Sequence, residues 1–359
     1  MRFALFGFFG VVVLAVASSL APTPVPEAWV RVVLPVWASF TARLFEVSPV
    51  SVTLVAAGAI VLALIVGIAW APRGRRVRRS FVLLVGTTAV LGGSFVLTWG
   101  SAYHRLTLAR ALDLPPEGAD LRMLEAAFDR LLQDVHDHAP ERPLHTFDAR
   151  ERADAARNAA RCVADADEVI VGRRIAVPGG VRELPAGALL RAGYGGIALP
   201  WLLEPHVDAG LPGAAWLAVA IHELTHTALW AREADTEALS LLAGLACDDR
   251  GVRYATALHG AAVVGAAIAT ITEPGHTARM RVSQGLADMP EVARADRRAL
   301  ATSVAHFHHS ATADSIGRVY DAYLRSQGVE AGIADYALAG GILASALAAC
   351  PTVRRPWCD

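Results

Sequence analysis

A chain of 359 residues is long enough for two domains. At 54% hydrophobic and only 19% charged residues it is more apolar than an ordinary soluble protein, which asks for membrane-spanning segments. The formal net charge is −1 and arginine supplies the basic side chains, with no lysine anywhere, so there is no basic excess of the kind that nucleic acid requires.

Phe3–Ala21 is an apolar run behind Met1-Arg2, of about the length that crosses a bilayer. The small residues of Ser18–Ala21 also allow a cleaved signal peptide. Across Pro22–Pro49, Trp29, Val32, Val33, Val36, Trp37, Phe40 and Leu44 recur at helical spacing. This predicts a short helix, lying at the membrane surface or serving as an amphipathic connector. Two further spans follow, 51–71 and 81–99, both free of charge. The loop between them carries Arg73, Arg75, Arg76, Arg78 and Arg79, and a short loop this basic stays in the cytoplasm. Met1 is then inside, Pro22–Pro49 outside, and everything after Trp99 outside. Residues 1–100 form a membrane region and 101–359 an extracytoplasmic domain.

From Ser101 the pattern is mainly helical. Leu121, Leu124, Phe128, Leu131, Leu132 and Val135 mark one amphipathic helix, ending near His136 and His138; Arg150–Asp167 is a second, alanine-rich one. That histidine pair reads as a solvated helix end or a second metal site. Val169–Val177 and Ile197–Val207 have the β-branched and apolar character of strands, bounded by Gly and Pro. Gly195-Gly196 reads as a bend, because the context of a phosphate loop is absent.

Trp216–Glu237 holds His222-Glu223-Leu224-Thr225-His226, a HExxH motif in an apolar helical run. Four positions apart on a helix, the two histidines share a face and can reach one metal ion, with Glu223 beside them. Burying these three side chains among apolar neighbours is costly unless something pairs with them. The pattern fits a hydrolytic zinc site, in which the metal acidifies a water and the carboxylate takes its proton. A third ligand is needed, and Glu233, Asp235 and Glu237 follow. On one unbroken helix, seven residues beyond His226 means about 10 Å of rise, too far for a shared ion. The chain must therefore turn near Leu229–Arg232 and begin a second helix, Glu233–Ala246. Glu233 is the expected ligand. Glu237, one turn later, then orients a histidine, or is itself the ligand.

Downstream, Tyr254–Thr272 is apolar enough for a membrane but contains His259, and reads as a buried core helix. Ala293–His309 is helical and ends in His306-Phe307-His308-His309, a helix end or a substrate contact. Asp314–Ser326 and Gly332–Ala349 complete a helical bundle. The four cysteines all follow the last span, where disulfides persist. Cys350 with Cys358 is a plausible pair and Cys162 with Cys247 the other, although connectivity is not fixed by sequence.

These residues together resemble a family of bacterial membrane proteins of unassigned function that carry a gluzincin-type zinc-peptidase domain behind two or three spans. The resemblance runs from about Trp99 to Ala349. It includes WGSAYHR, GGIALPWLLEPHVD, HELTH, EADTEALSLLAGLAC, RYATAL and VYDAYLRSQGVEAGIADYA. It implies a zincin-like helical domain with a small β-sheet, Zn2+ on His222, His226 and Glu233, and Glu237 bonding a histidine. It also implies an edge strand at Ile197–Val207 against which an extended peptide pairs. Two departures stand out: Leu229 occupies the usual small-residue turn, and Glu237 replaces an Asp or Asn.

The expectation is a multi-pass protein of the bacterial inner membrane acting as a zinc metalloendopeptidase on peptides or proteins of the envelope, with Glu223 as general base. Tyr254, Tyr320 and Tyr323 are the candidates to stabilise an oxyanion. The alternatives are a non-catalytic zinc-binding assembly protein on the same fold, and cleavage within the bilayer. The last normally takes an aspartate ligand from another spanning segment, and none is evident downstream.

Overall fold

The computed structural model describes residues 24–350 and 356–358, and it is mainly helical with one small sheet. The expected span Phe3–Ala21 lies outside the described residues. Packing divides the chain into two compact units. One comprises the described residues up to Arg105 together with Leu199–Glu204; the other comprises Leu106–Ala198 and the described residues from Pro205 onward.

In the first unit, α1 (Pro24–Val32) and α2 (Leu34–Val47) replace the single helix expected over Pro22–Pro49. The break falls at Val33, two residues before Pro35, which has no N–H to continue the ladder and sits in the first turn of α2 where none is needed. Helices α3 (Val52–Ala69) and α4 (Arg76–Thr98) occupy the two charge-free stretches. Both are long and apolar enough to cross a membrane, and almost nothing of either is buried within the protein. Eighteen residues of α3 rise about 27 Å, the thickness of a hydrocarbon core. The N-terminus of α3 is closed by a carboxylate. Glu204 accepts from the Ser51 hydroxyl at 2.6 Å and from the backbone N–H groups of Val52 and Thr53 at 2.9 and 3.0 Å. Trp37 Nε1 donates to the Trp201 carbonyl and Trp201 Nε1 to that of Leu91, so residues 199–204 are held among these helices.

The second unit is a helical bundle. Helix α5 (Leu121–His138) starts at an Asp120 cap, and α6 (Ala149–Val171) at a reciprocal Asp148–Glu151 capping box. The strand expected at Val169–Val177 does not form: Val169, Ile170 and Val171 are the last turn of α6, which stops at Gly172 with φ of +75°. Once nucleated by its cap, the alanine-rich helix propagates through β-branched residues whose own preference is for strand. The stretch Ile197–Val207 forms two strands instead of one. They are β2 (Gly196–Leu199) and β3 (Glu204–Asp208), separated at Pro200, which cannot donate to a ladder, and Leu203, with φ of +50°. With β1 (Arg182–Leu184) they form a sheet in the order β1-β3-β2, β1 running parallel to β3 with Arg182 opposite His206. The edge position therefore belongs to β2, and the β3 half of the expected edge strand is central.

Helices α7 (Gly213–Thr227), α8 (Glu233–Leu245) and α9 (Arg250–Ile271) form the centre, α9 packing along α5 and against α7 and α8. Every residue of α8 is buried. Leu217, Ile221 and Leu224 of α7 pack with Leu239 and Leu242 of α8, each fully buried aliphatic side chain contributing about 1.5–3 kcal/mol. Although α9 is apolar enough to span a membrane, 61% of its most apolar window is buried inside the protein, so it is a core helix. Helices α10 (Thr277–Ala287), α11 (Glu291–Phe307), α12 (Ser310–Ser326), a 3-10 turn at Gly332–Leu338 and α13 (Ala339–Ala348) complete the unit. Disulfides join Cys162 to Cys247 and Cys350 to Cys358.

Candidate metal centre

The HELTH histidines point from the last two turns of α7 toward the first turn of α8. The reversal between the helices is made at Leu229, whose φ of +68° is unusual for a branched residue and whose side chain is completely buried. Helix α8 begins at Glu233, as the rise argument requires. Arg232 offers no side-chain cap; the carboxylate of Asp335 accepts the Ala234 N–H at 2.9 Å in its place. Of the three acidic residues here, Asp235 is committed to the Leu108 N–H at 3.0 Å. Glu233 and Glu237 face the histidines.

Glu233 Oε2 lies 3.2 Å from His222 Nε2 and 3.3 Å from His226 Nε2. The other ring nitrogens are already engaged: His222 Nδ1 with Glu237 Oε2 at 2.7 Å, and His226 Nδ1 with the Trp230 carbonyl at 2.7 Å. Both of those partners only accept, which assigns the ring protons to Nδ1. Each Nε2 then carries a lone pair, and it faces a carboxylate oxygen that is also an acceptor. Three acceptors converge with no proton among them. A cation in the middle resolves the conflict, and the three groups lie close enough together to hold one. Two imidazoles and one carboxylate are a donor set suited to zinc. Otherwise protons must supply the positive charge. Burial opposes charge on His222, but the Glu233 and Glu237 carboxylates more than offset it and raise its pKa well above the ordinary imidazole value. Burial likewise works against an ionised Glu233, and His226 and His222 hold it well below the carboxylate range.

Glu223 stands apart from this network. It is buried, and among the described residues its Oε2 has no hydrogen-bond partner. Burial pushes its pKa up to about 7 against the pull of His222, His226 and the Ala198 N–H. Its carboxylate lies against the start of β2, where a Cβ on Gly196 would come within 2.6 Å of Oε1.

Tyrosines close the other side. Tyr320 donates to Glu233 Oε1, and the Tyr336 hydroxyl lies within hydrogen-bonding range of Glu233 and Tyr320 while its ring stacks over His222 at 6.3 Å. Of the tyrosines named from sequence, Tyr320 reaches the cluster and Tyr323 stacks on it from behind at 5.8 Å. Tyr254 is committed elsewhere: its hydroxyl donates to the buried Asp296 at 3.0 Å, so it is no longer a candidate for the oxyanion. His306–His309 contributes nothing to the cluster; His309 caps α12 and Phe307 packs beneath Gly187 and Gly210. His138 bonds back to Asp134 in its own helix.

Sequence reasoning missed Tyr336, the Trp230 carbonyl and His259. His259 Nε2 donates to Glu237 Oε1 at 2.6 Å. A lone histidine inside the apolar run Tyr254–Thr272 was a usable signal, since a polar group in a buried helix requires a partner.

The chain matches no curated protein and no solved structure. A family model described as a protein of unknown function, DUF3810, matches residues 29–342, which is most of the chain and takes in every residue of this cluster. The chain belongs to the DUF3810 family.

Proposed function

We propose that this protein is a membrane-anchored zinc metallopeptidase with its metal centre outside the cytoplasm. The observation that carries the reading is Glu223, a buried carboxylate with an unpartnered oxygen beside three convergent acceptors. A buried carboxylate whose pKa is raised to about 7, with one oxygen left open among the described residues, is suited to proton transfer. His222, His226 and Glu233 would hold the ion. When bound, zinc would acidify a water and polarise a carbonyl.

The side chains supply the rest. Glu237 and the Trp230 carbonyl fix the imidazole tautomers and ring directions. Glu223 accepts the proton of the attacking water and returns it to the departing amine. Tyr320 and Tyr336 present phenolic groups beside Glu233 and are assigned to the developing oxyanion. The outer edge of β2 offers backbone groups for an extended peptide. The side of the membrane is supported by the arginines between α3 and α4 and in the first turn of α4, Arg73 to Arg79, which favour the cytoplasm, and by two disulfides in the helical unit.

The decisive variant is Glu223→Gln. It keeps the shape and the ligands, so it should retain zinc and lose hydrolysis of a peptide library by about 10²–10⁴-fold. A variant that still cleaves at the wild-type rate removes the mechanism. A zinc-loaded wild type that cleaves nothing would favour the alternative of a non-catalytic envelope protein, for which the donation from Tyr320 to Glu233 gives some support.

A further inference from the structure

Glu237 is shared. One oxygen meets His222 at 2.7 Å, and the other meets His259 at 2.6 Å. The two histidines come from different helices, α7 and α9, and the carboxylate between them comes from a third. Glu237 is buried, and among the described residues each of its side-chain oxygens has one histidine as its hydrogen-bond partner. Its two oxygens form one rigid group, so a donor on Oε1 fixes where Oε2 lies. Oε2 in turn sets the tautomer and direction of the His222 ring, and with them the aim of the Nε2 lone pair.

We propose that His259 is a positioning residue for the metal centre: acting through Glu237, it holds the imidazole of His222 in the orientation that grips a divalent ion. This rests on the metal-binding part of the reading above and is independent of whether the protein hydrolyses peptides. Loss of the imidazole leaves Oε1 a buried charge without a donor. The carboxylate is then free to turn, and the His222 ring turns with it. The His259 side chain is 41% exposed on the flank of a helix already packed along α5, α7 and α8, so its truncation opens little cavity and the cost to the fold is that of the unpaired Glu237 oxygen. Metal affinity therefore follows the N–H donor at this position rather than the bulk of the side chain.

The test uses the full chain in detergent, stripped of metal, with zinc affinity measured by competition against a chromophoric chelator. Melting of the metal-free protein is followed in parallel. Partners of metal-bound histidines of this kind typically contribute about 10–100-fold in affinity, so His259→Ala should weaken zinc binding by that factor. The metal-free melting temperature should fall by a few degrees, the cost of one unpaired buried oxygen. His259→Gln keeps an N–H donor that can reach Glu237 and should recover most of the affinity. With cobalt as the probe, the visible spectrum of His259→Ala should shift and that of His259→Gln should resemble the wild type.

Wild-type affinity in both variants would overturn the assignment. So would an equal loss of affinity in both, accompanied by a matching fall in metal-free melting temperature, since that pattern marks a purely structural contact. A wild-type chain with no zinc affinity would overturn this role together with the metal centre. Failure to cleave peptides would leave it standing.

Discussion

Gly196 sits where β2 passes the Glu223 carboxylate, and replacing it with alanine is a direct mechanical test of the proposed role of that carboxylate. A Cβ at this position would lie 2.6 Å from Glu223 Oε1, 2.7 Å from Glu223 Cγ and 2.7 Å from Val219 Cγ1. Comfortable carbon contacts begin at about 3.5 Å, so roughly 0.8 Å must be found by moving neighbours. Val219 is on α7 and moves only with its helix, which leaves the Glu223 side chain to yield. A displacement of this size in a reacting group costs on the order of 10²-fold in rate. Overpacking adds about 1–3 kcal/mol of destabilisation, or several degrees of melting temperature. Zinc content should not change, because no ligand is touched. Gly195→Ala is the control. Its Cβ would press on Val219 at 2.9 Å and Leu211 at 3.1 Å without meeting Glu223, so it should lose comparable stability and keep its rate. Hydrolysis, zinc content and melting of the two variants form the assay. Equal rates in both, or loss of zinc in Gly196→Ala, would refute the reasoning.

Burial raises Glu223 to about 7, and a general base must be ionised to act, so the rate should climb with pH along a limb centred at or below about 7, lower still once a bound cation favours the carboxylate. A profile in which hydrolysis falls as pH rises from about 5 to 7 contradicts this assignment. Tyr336→Phe should keep zinc and lose about 10–10²-fold in hydrolysis, because only the hydroxyl is removed. Tyr254→Phe should retain both zinc and rate while losing about 1 kcal/mol, because Asp296 keeps the Leu144 and His145 N–H donors; reversed outcomes for the two variants would exchange their roles. The Cys162–Cys247 bridge closes a separation of 85 residues and joins α6 to the end of α8. Reducing it should cost roughly 4 kcal/mol and lower the melting temperature by on the order of 10 °C; unchanged melting under reductant would show the bridge to be dispensable.

The heart of the site was legible because it obeys local rules. Helical period places His222 and His226 on one face, and helical rise requires a break before any acidic ligand. The structure makes that break at Leu229 and starts the next helix on Glu233. The long apolar helices α3 and α4 were legible for a similar reason, since length and absence of charge over 51–71 and 81–99 suffice. What escaped depends on partners far apart in sequence. Tyr336 and His259 reach the cluster from segments 110 and 33 residues beyond His226, by the packing of a 3-10 turn and of α9; the polar His259 in an apolar run signals a partner without naming it, and nothing local marks Tyr336. Val169–Val171 misled because residue preference points to strand while a capped helix already under way extends through them to Gly172. Tyr254 misled in the opposite sense: a tyrosine soon after the motif suggests chemistry, but Asp296 of α11 takes its hydroxyl.

The most direct measurement is the metal content and ligand environment of the purified full chain at neutral pH, by elemental analysis and X-ray absorption. The account predicts one zinc ion per chain with two imidazole nitrogens and a carboxylate oxygen as protein ligands, and loss of that ion in Glu233→Ala. A wild-type protein that binds no divalent ion in stoichiometric amount, or that keeps its ion unchanged when Glu233 is removed, would contradict it.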